Sequence, residues 1–282
     1  MGYVREEIQR IKEKYGDLDL VSMVHQYLME RDQENQKRRI EEGRLGKFYP
    51  SSVGQCKRKI VYQMLGYPSK PKDGRFILIM DNGTYFHERM EKLFEEMGIL
   101  ITPELTLKDD SLRISGRTDA VIWNFMKQKP DNKVNVPDIE LYKPICDEQG
   151  NEREELVYKG SPYDVLLVEF KSIKSKSFDY LKDKPKREHE MQLQLYFYLT
   201  GVRAGLVYYE NKDTQEQKYF YVEYNQQLVN EIIRDIKFVN ECVDKGVLPE
   251  REYAPDSFQC RFCDYLSICH PVQSQYSLED VL

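Results

Sequence analysis

The densest apolar stretch of the chain is Val165-Leu166-Leu167-Val168, within a run from Asp164 that continues through Glu169-Phe170-Lys171-Ser172 to Ile173. Leucine and β-branched side chains without Gly or Pro predict a strand buried on both faces, as found in the middle of an α/β sheet. A second run, Ile114–Ile122, is broken by a single acid, Asp119. It belongs to a set of antiparallel strands predicted between Ile99 and Ile122 and divided by Asp109-Asp110. Two more strands are predicted at Ala204–Glu210 and Lys218–Tyr224, joined by Asn211-Lys212-Asp213-Thr214.

Helical spacing accounts for most of the rest. Val4, Ile8 and Ile11 mark one stripe, and Leu20, Met23, Val24, Tyr27 and Leu28 another. Glu30–Arg44 is nearly all charge and reads as a solvated helix with a turn at Gly43, without chemistry. Ser51 or Ser52 is expected to cap a helix through Tyr62 to Leu65 that stops at Gly66. Further helices are expected at Phe76–Met97, Glu188–Gly201 and Gln226–Asp244, the last with Val229, Ile232, Ile236, Val239 and Val243 in a stripe. Between residues 124 and 163 the chain is polar and carries Pro130, Pro137, Pro144, Pro162, Gly150 and Gly160, which predicts an inserted hairpin or lid. The expected organisation is a helical N-terminal extension at 1–48, a core at 49–250 and a C-terminal segment at 251–282.

Composition narrows the class. A chain of 282 residues, 40% hydrophobic, with 12 Phe and 21 Tyr, can bury a sizeable core. A net charge of -6 argues against non-specific coating of nucleic acid, so any such contact needs a local basic patch. No apolar stretch approaches the roughly 20 residues of a membrane span, and the first residues do not form a signal peptide. A soluble cytoplasmic protein is expected, in which six cysteines are reduced thiols or metal ligands.

The chemistry starts from charge where a core strand has no use for it. Glu169 and Lys171 are two apart, so both project from one strand face, and burying them is costly unless they pair or hold a metal. If the Asp119 strand is a neighbour, Asp119, Glu169 and Lys171 converge. Two carboxylates and an ammonium group suit phosphodiester hydrolysis assisted by Mg²⁺ or Mn²⁺, which prefer hard oxygen ligands. The bland alternative is a strand ending in a surface ion pair, and Asp164 or Asp138 would be substitute first acids. His87, at helical spacing from Met90, is either a core histidine or a ligand. Lys174, Lys176, Lys182, Lys184, Lys186 and Arg187 form the most basic window, either a solvated loop or a phosphate-binding surface. Gln192 and Tyr196 share a helix face, although Gln194 and Tyr198 repeat the spacing. Cys260, Cys263 and Cys269 follow C-x2-C-x5-C, and Cys56 is the candidate fourth ligand of a zinc or iron–sulfur site. Cys242 reads as a core thiol, and Cys146 has no assignment.

In this order the chain resembles the PD-(D/E)xK nuclease superfamily and its RecB-like branch. The resemblance rests on Gly83-Thr84-x-x-His87, Asp119, Glu169-Phe170-Lys171 and Gln192-x-x-x-Tyr196. One distant cysteine followed by C-x2-C-x5-C resembles the iron–sulfur subset found among CRISPR-associated and bacteriophage exonucleases. It spans about residues 49 to 271. The resemblance implies an α/β fold with a restriction-endonuclease-like αβββαβ core, a mixed central sheet flanked by helices, and a C-terminal iron–sulfur staple. It implies that His87, Asp119, Glu169 and the Phe170 carbonyl bind Mg²⁺ or Mn²⁺ and that Lys171 positions water. Gln192 and Tyr196 would hold nucleic acid, beside Lys174 and Lys176. Cys56, Cys260, Cys263 and Cys269 would hold a [4Fe–4S] cluster, with zinc as the alternative. The activity implied is cleavage of DNA from single-stranded ends. The alternative is a DNA-processing subunit or binding module with protein partners and little cleavage of its own.

Overall fold

The structure, a computed structural model, describes residues 2–16, 18–126, 136–147 and 151–271, with side chains from residue 6 onward. Pro130 and Gly150 of the expected insert, the Val4 side chain and residues 272–282 lie outside the described residues. The chain divides into two compact units, residues 1–44 with 70–85, and residues 45–69 with 86–282.

The first unit is helical. It holds α1 (Gly2–Tyr15), α2 (Leu20–Glu41) and the first half of α4 (Gly74–Glu96). Asp19 caps α2 by accepting the N–H groups of Val21 and Ser22. The unit differs from the expected extension at 1–48: it ends at Arg44 and takes in Lys70–Tyr85, which α2 reaches through ion pairs. Arg31 bonds Asp81 at 2.6 Å, and Lys72 bonds Asp32 at 2.9 Å.

The second unit contains α3 (Lys57–Met64) and the remainder of α4. Ser51 and Ser52 do not cap α3. They lie in a 3-10 turn, Pro50–Ser52, and Cys56 takes the cap position without a side-chain bond. Strands β1 (Leu100–Pro103), β2 (Thr106–Asp109), β3 (Ile114–Arg117) and β4 (Ala120–Trp123) come next. The run expected as one strand at 114–122 is thus two, broken at Thr118-Asp119. β3 pairs with β2 in a hairpin, while β4 enters the main sheet.

The insert contains β5 (Ile139–Cys146) and β6 (Glu152–Gly160), paired with each other in a separate two-stranded sheet. Then follow β7 (Val165–Ile173), α5 (Ser175–Asp179), α6 (Arg187–Thr200), β8 (Ala204–Asn211), β9 (Gln217–Glu223) and α7 (Gln226–Lys245). Two short helices, α8 (Phe258–Arg261) and α9 (Leu266–Cys269), carry the terminal cysteines.

The main sheet runs β1-β4-β7-β8-β9, and only the β7–β8 pair is parallel. With α4 before it and α6 between β7 and β8, the order α4-β1-β4-β7-α6-β8 is a mixed αβββαβ core. Even-numbered residues of β7, Leu166, Val168 and Phe170, pack with Phe86, Met90 and Phe94 of α4. Odd-numbered Val165 and Leu167 pack with Leu193, Tyr196 and Phe197 of α6. Helices α3 and α7 cover the far side of α6 through Ile60, Val61, Ile232 and Ile236. Alternation along β7 therefore sends Glu169 and Lys171 toward α6. Among the described residues, no helix is long and apolar enough to cross a membrane.

Candidate active site

Strand register brings the two distant acids together. Ala120 pairs with Val168, so the preceding Asp119 falls opposite Glu169. Strand β4 begins only at Ala120, which leaves the end of β7 without a strand on that edge. The Asp119 side chain fills the gap, and its Oδ2 accepts the Phe170 N–H at 2.6 Å. In an extended strand the N–H and C=O of one residue point to the same edge, so the Phe170 carbonyl opens on the side of Asp119. Asp164 and Asp138 act instead on Tyr158 and have no role here.

His87 enters from α4, its Nδ1 3.3 Å from Asp119 Oδ1. Burial works against its charged form, but Asp119 outweighs it and raises the imidazole above its usual range. The ring also packs edge-on to Phe170 at 5.7 Å. Core packing and polar contact are combined in one side chain.

Glu169 is 1% exposed. Its Oε1 bonds Lys171 Nζ at 2.5 Å, while Oε2 is buried and has no partner. An ionised carboxylate in that position lacks compensation. Burial first, then the nearby Asp119, pushes its acid up to about 7. Lys171 is shifted upward as well, for a different reason. Burial favours loss of its proton, but Glu169 and Asp119 prevail and raise it, so it stays an ammonium ion.

Lys171 is also held from α6. Its Nζ donates to Gln192 Oε1 at 3.3 Å, and Gln192 Nε2 donates to Tyr196 Oη at 2.7 Å. Gln192 is 6% and Tyr196 2% exposed. Burial, followed by Glu169 and Asp119, holds the phenol protonated far above its usual range. The resemblance implies that both residues hold nucleic acid; in the structure Gln192 bonds Lys171 and Tyr196, and the Tyr196 hydroxyl also interacts with the Glu169 carboxylate. The competing pair separates cleanly. Gln194 is fully buried and ties the β9–α7 connection to α6 by donating to the Glu223 carbonyl and accepting the Asn225 N–H, whereas Tyr198 is 41% exposed.

Lys174 and Lys176 are exposed at the start of α5, immediately beyond β7. Two further groups border the site and carry no motif of their own. Glu91 lies one turn after His87, and burial, Glu104 and Asp119 raise its acid. His189 lies one turn before Gln192. Helical spacing from an assigned residue was the available signal for each.

The orphaned Glu169 oxygen, the adjacent Asp119 carboxylate and the His87 ring are hard and borderline donors suited to Mg²⁺ or Mn²⁺. Among the described residues, no three His, Cys, Asp or Glu side chains already stand in a metal-holding arrangement. Asp119 is closed onto Phe170 and His87, and Glu169 onto Lys171.

The cysteine-bearing segments meet at α3. The Lys57 N–H and Nζ reach Glu252 at 3.4 and 3.3 Å, and Arg58 donates to the Pro249 carbonyl. Tyr62 stacks on Tyr265 at 5.3 Å. Cys56, Cys260, Cys263 and Cys269 are free and half-buried. Burial raises the Cys56 thiol, with smaller contributions from Glu252 and Cys263. Cys242 is buried in the core, and Cys146 is exposed on β5.

No family model and no curated protein sequence matches the chain. In structure it is similar to SSO0001, with a TM-score of 0.48 and 16% identity over 87% of this chain and 95% of that one. It is also similar to an alkaline exonuclease, LHK-Exo, from Laribacter hongkongensis, with a TM-score of 0.45 and 14% identity over 73% and 91% of the two chains. The same enzyme in complex with dAMP gives a TM-score of 0.43 and 13% identity over 72% and 91%.

Proposed function

We propose that the protein is a divalent-cation-dependent nuclease that hydrolyses phosphodiester bonds of DNA, working from single-stranded ends. The observation that carries this reading is the meeting of Asp119 and Glu169 beside Lys171, with Glu169 Oε2 buried and unpartnered. Asp119, Glu169, His87 and the Phe170 carbonyl would hold Mg²⁺ or Mn²⁺. The bound cation supplies a Lewis acid for phosphate and water.

Lys171 remains charged, so it acts as a donor and positive centre and does not withdraw a proton. It orients the attacking water or offsets charge developing on the phosphate. Gln192, braced by Tyr196, keeps the ammonium group directed into the site. Exposed Lys174 and Lys176 extend the positive surface along the approaching strand.

The decisive assay incubates the protein with end-labelled single- and double-stranded DNA, linear and circular, in Mg²⁺ or Mn²⁺, beside Lys171→Ala. Metal-dependent loss of linear substrate by the wild type alone is expected. Equal cleavage by Lys171→Ala rejects the assignment.

The four cysteines are proposed to hold a [4Fe–4S] cluster of structural role, since they lie on segments separate from the hydrolytic residues. The contacts of Lys57, Arg58 and Tyr62 with the C-terminal segment support a shared site. Colourless protein purified without oxygen and carrying stoichiometric zinc rejects the iron–sulfur assignment.

A further inference from the structure

Tyr209 of β8 is the register partner of Lys171, so their side chains rise from the same face of the sheet. Its ring packs 5.5 Å from the His189 ring, and its hydroxyl lies 2.7 Å from His189 Nδ1. The hydroxyl oxygen accepts the Lys186 N–H at 3.0 Å. Among the described residues, His189 Nδ1 is the acceptor available to the phenolic hydrogen. The phenol therefore donates to Nδ1, and the remaining imidazole proton sits on Nε2. Nε2 has no protein partner among the described residues and is not sealed from solvent.

Two constraints place this donor beside Lys171. One is the sheet register through Tyr209. The other is helix spacing, since His189 is three residues before Gln192, whose Oε1 accepts from Lys171.

We propose that His189 is a phosphate-contacting residue, presenting Nε2–H to a phosphodiester oxygen of the strand that Lys171 engages. The inference rests on the nuclease reading and deepens it. Burial, with Lys171 and Lys186 adding to it, lowers the imidazole to about 3, so the group is a neutral donor throughout the working pH range. Tyr209 acts through His189 and is a positioning residue. The charged neighbours that act on the pair are Lys171, Lys186, Glu188 and Glu169.

The test uses the full chain and a short phosphorothioate single-stranded DNA in Ca²⁺. Long-range ¹H–¹⁵N spectra of the four imidazoles, assigned against His189→Gln, report the tautomer. A neutral Nε2–H imidazole that shifts on adding the oligonucleotide is expected. In cleavage, His189→Leu should lose roughly 10- to 100-fold in kcat/KM. His189→Gln, whose amide nitrogen can donate from a similar place, should recover most of it. Tyr209→Phe should fall between them and mix the tautomers. Circular dichroism of each variant separates loss of fold from loss of contact, and the wild-type tautomer needs no variant to fold.

His189→Leu that binds and cleaves like the wild type, or an Nδ1–H tautomer, overturns the proposal and leaves the nuclease reading intact. Wild type that binds the oligonucleotide through His189 without cleaving removes the nuclease reading and keeps the phosphate contact. No binding by the wild type overturns both.

Discussion

Glu169 gives one carboxylate oxygen to Lys171 at 2.5 Å and keeps the other, Oε2, buried without a partner. That asymmetry sets the protein's expected response to pH. The folded-state acid is raised to about 7 from an ordinary 4.5, with burial as the main cause. A raised acid favours the fold below the unfolded value, and that contribution is lost as pH climbs through the folded value. Without divalent cation, the wild type should therefore lose on the order of 3 kcal/mol between about pH 4.5 and 7. The raised His87 acts in the same direction, its contribution fading above its own folded value. Glu169→Gln should flatten most of the slope. Parallel melting curves for the two proteins in EDTA from pH 5 to 8 would contradict this.

Cation binding competes with that proton. Mn²⁺ or Mg²⁺ should raise the melting temperature more at pH 8 than at pH 6, approaching about 2.7 kcal/mol when free cation reaches 100 times its Kd. Asp119→Asn and Glu169→Gln should abolish the effect. Calorimetry should record proton release on binding at pH 6. An equal shift in Asp119→Asn removes Asp119 from the ligand set.

Gln192 and Tyr196 are expected to act on turnover. Gln192→Ala frees Lys171 from α6 and should lower kcat about tenfold with KM little changed, the cost of roughly one charged hydrogen bond. Tyr196→Phe should cost less, about threefold, because Gln192 retains its bond to Lys171. A rise in KM at constant kcat would instead identify the pair as strand-binding.

Gly205 of β8 is a test of the packing that sets this geometry. A Cβ there would lie 2.4 Å from the Leu167 carbonyl oxygen and 3.1 Å from both Leu193 and Phe197. Backbone cannot yield as a side chain can, so Gly205→Ala should destabilise by about 3 kcal/mol in chemical denaturation. A change below about 0.5 kcal/mol would mean that β7, β8 and α6 separate easily.

Much of this was legible before folding. β7 announces itself by apolar content, and α7 by its stripe, because local pattern decides which face is buried. Partner choice is different. Ile114–Ile122 reads as one strand, since alternation carries no mark of where β3 leaves for β2 and β4 joins β7. Spacing placed Gln192 and Tyr196 on one face but could not show that they are buried, or that Gln194 is committed to Glu223 and Asn225. Those bonds join residues about thirty positions apart. His189 carries no signal in the sequence for the same reason, because its meaning depends on Tyr209.

Among the described residues the β5–β6 hairpin pairs only with itself, and the chain leaves the main sheet after Trp123 and rejoins it at Val165, residues that are opposite one another. Departure and return are adjacent, like the two feet of a bridge. The register that sets the acids opposite one another is therefore closed by the β4–β7 pairing itself, whatever the length of the segment between the two strands. The hairpin leans on the core through Leu141 and Tyr158, and its two feet stand four register positions from the acids, at the opposite end of the β4–β7 pairing.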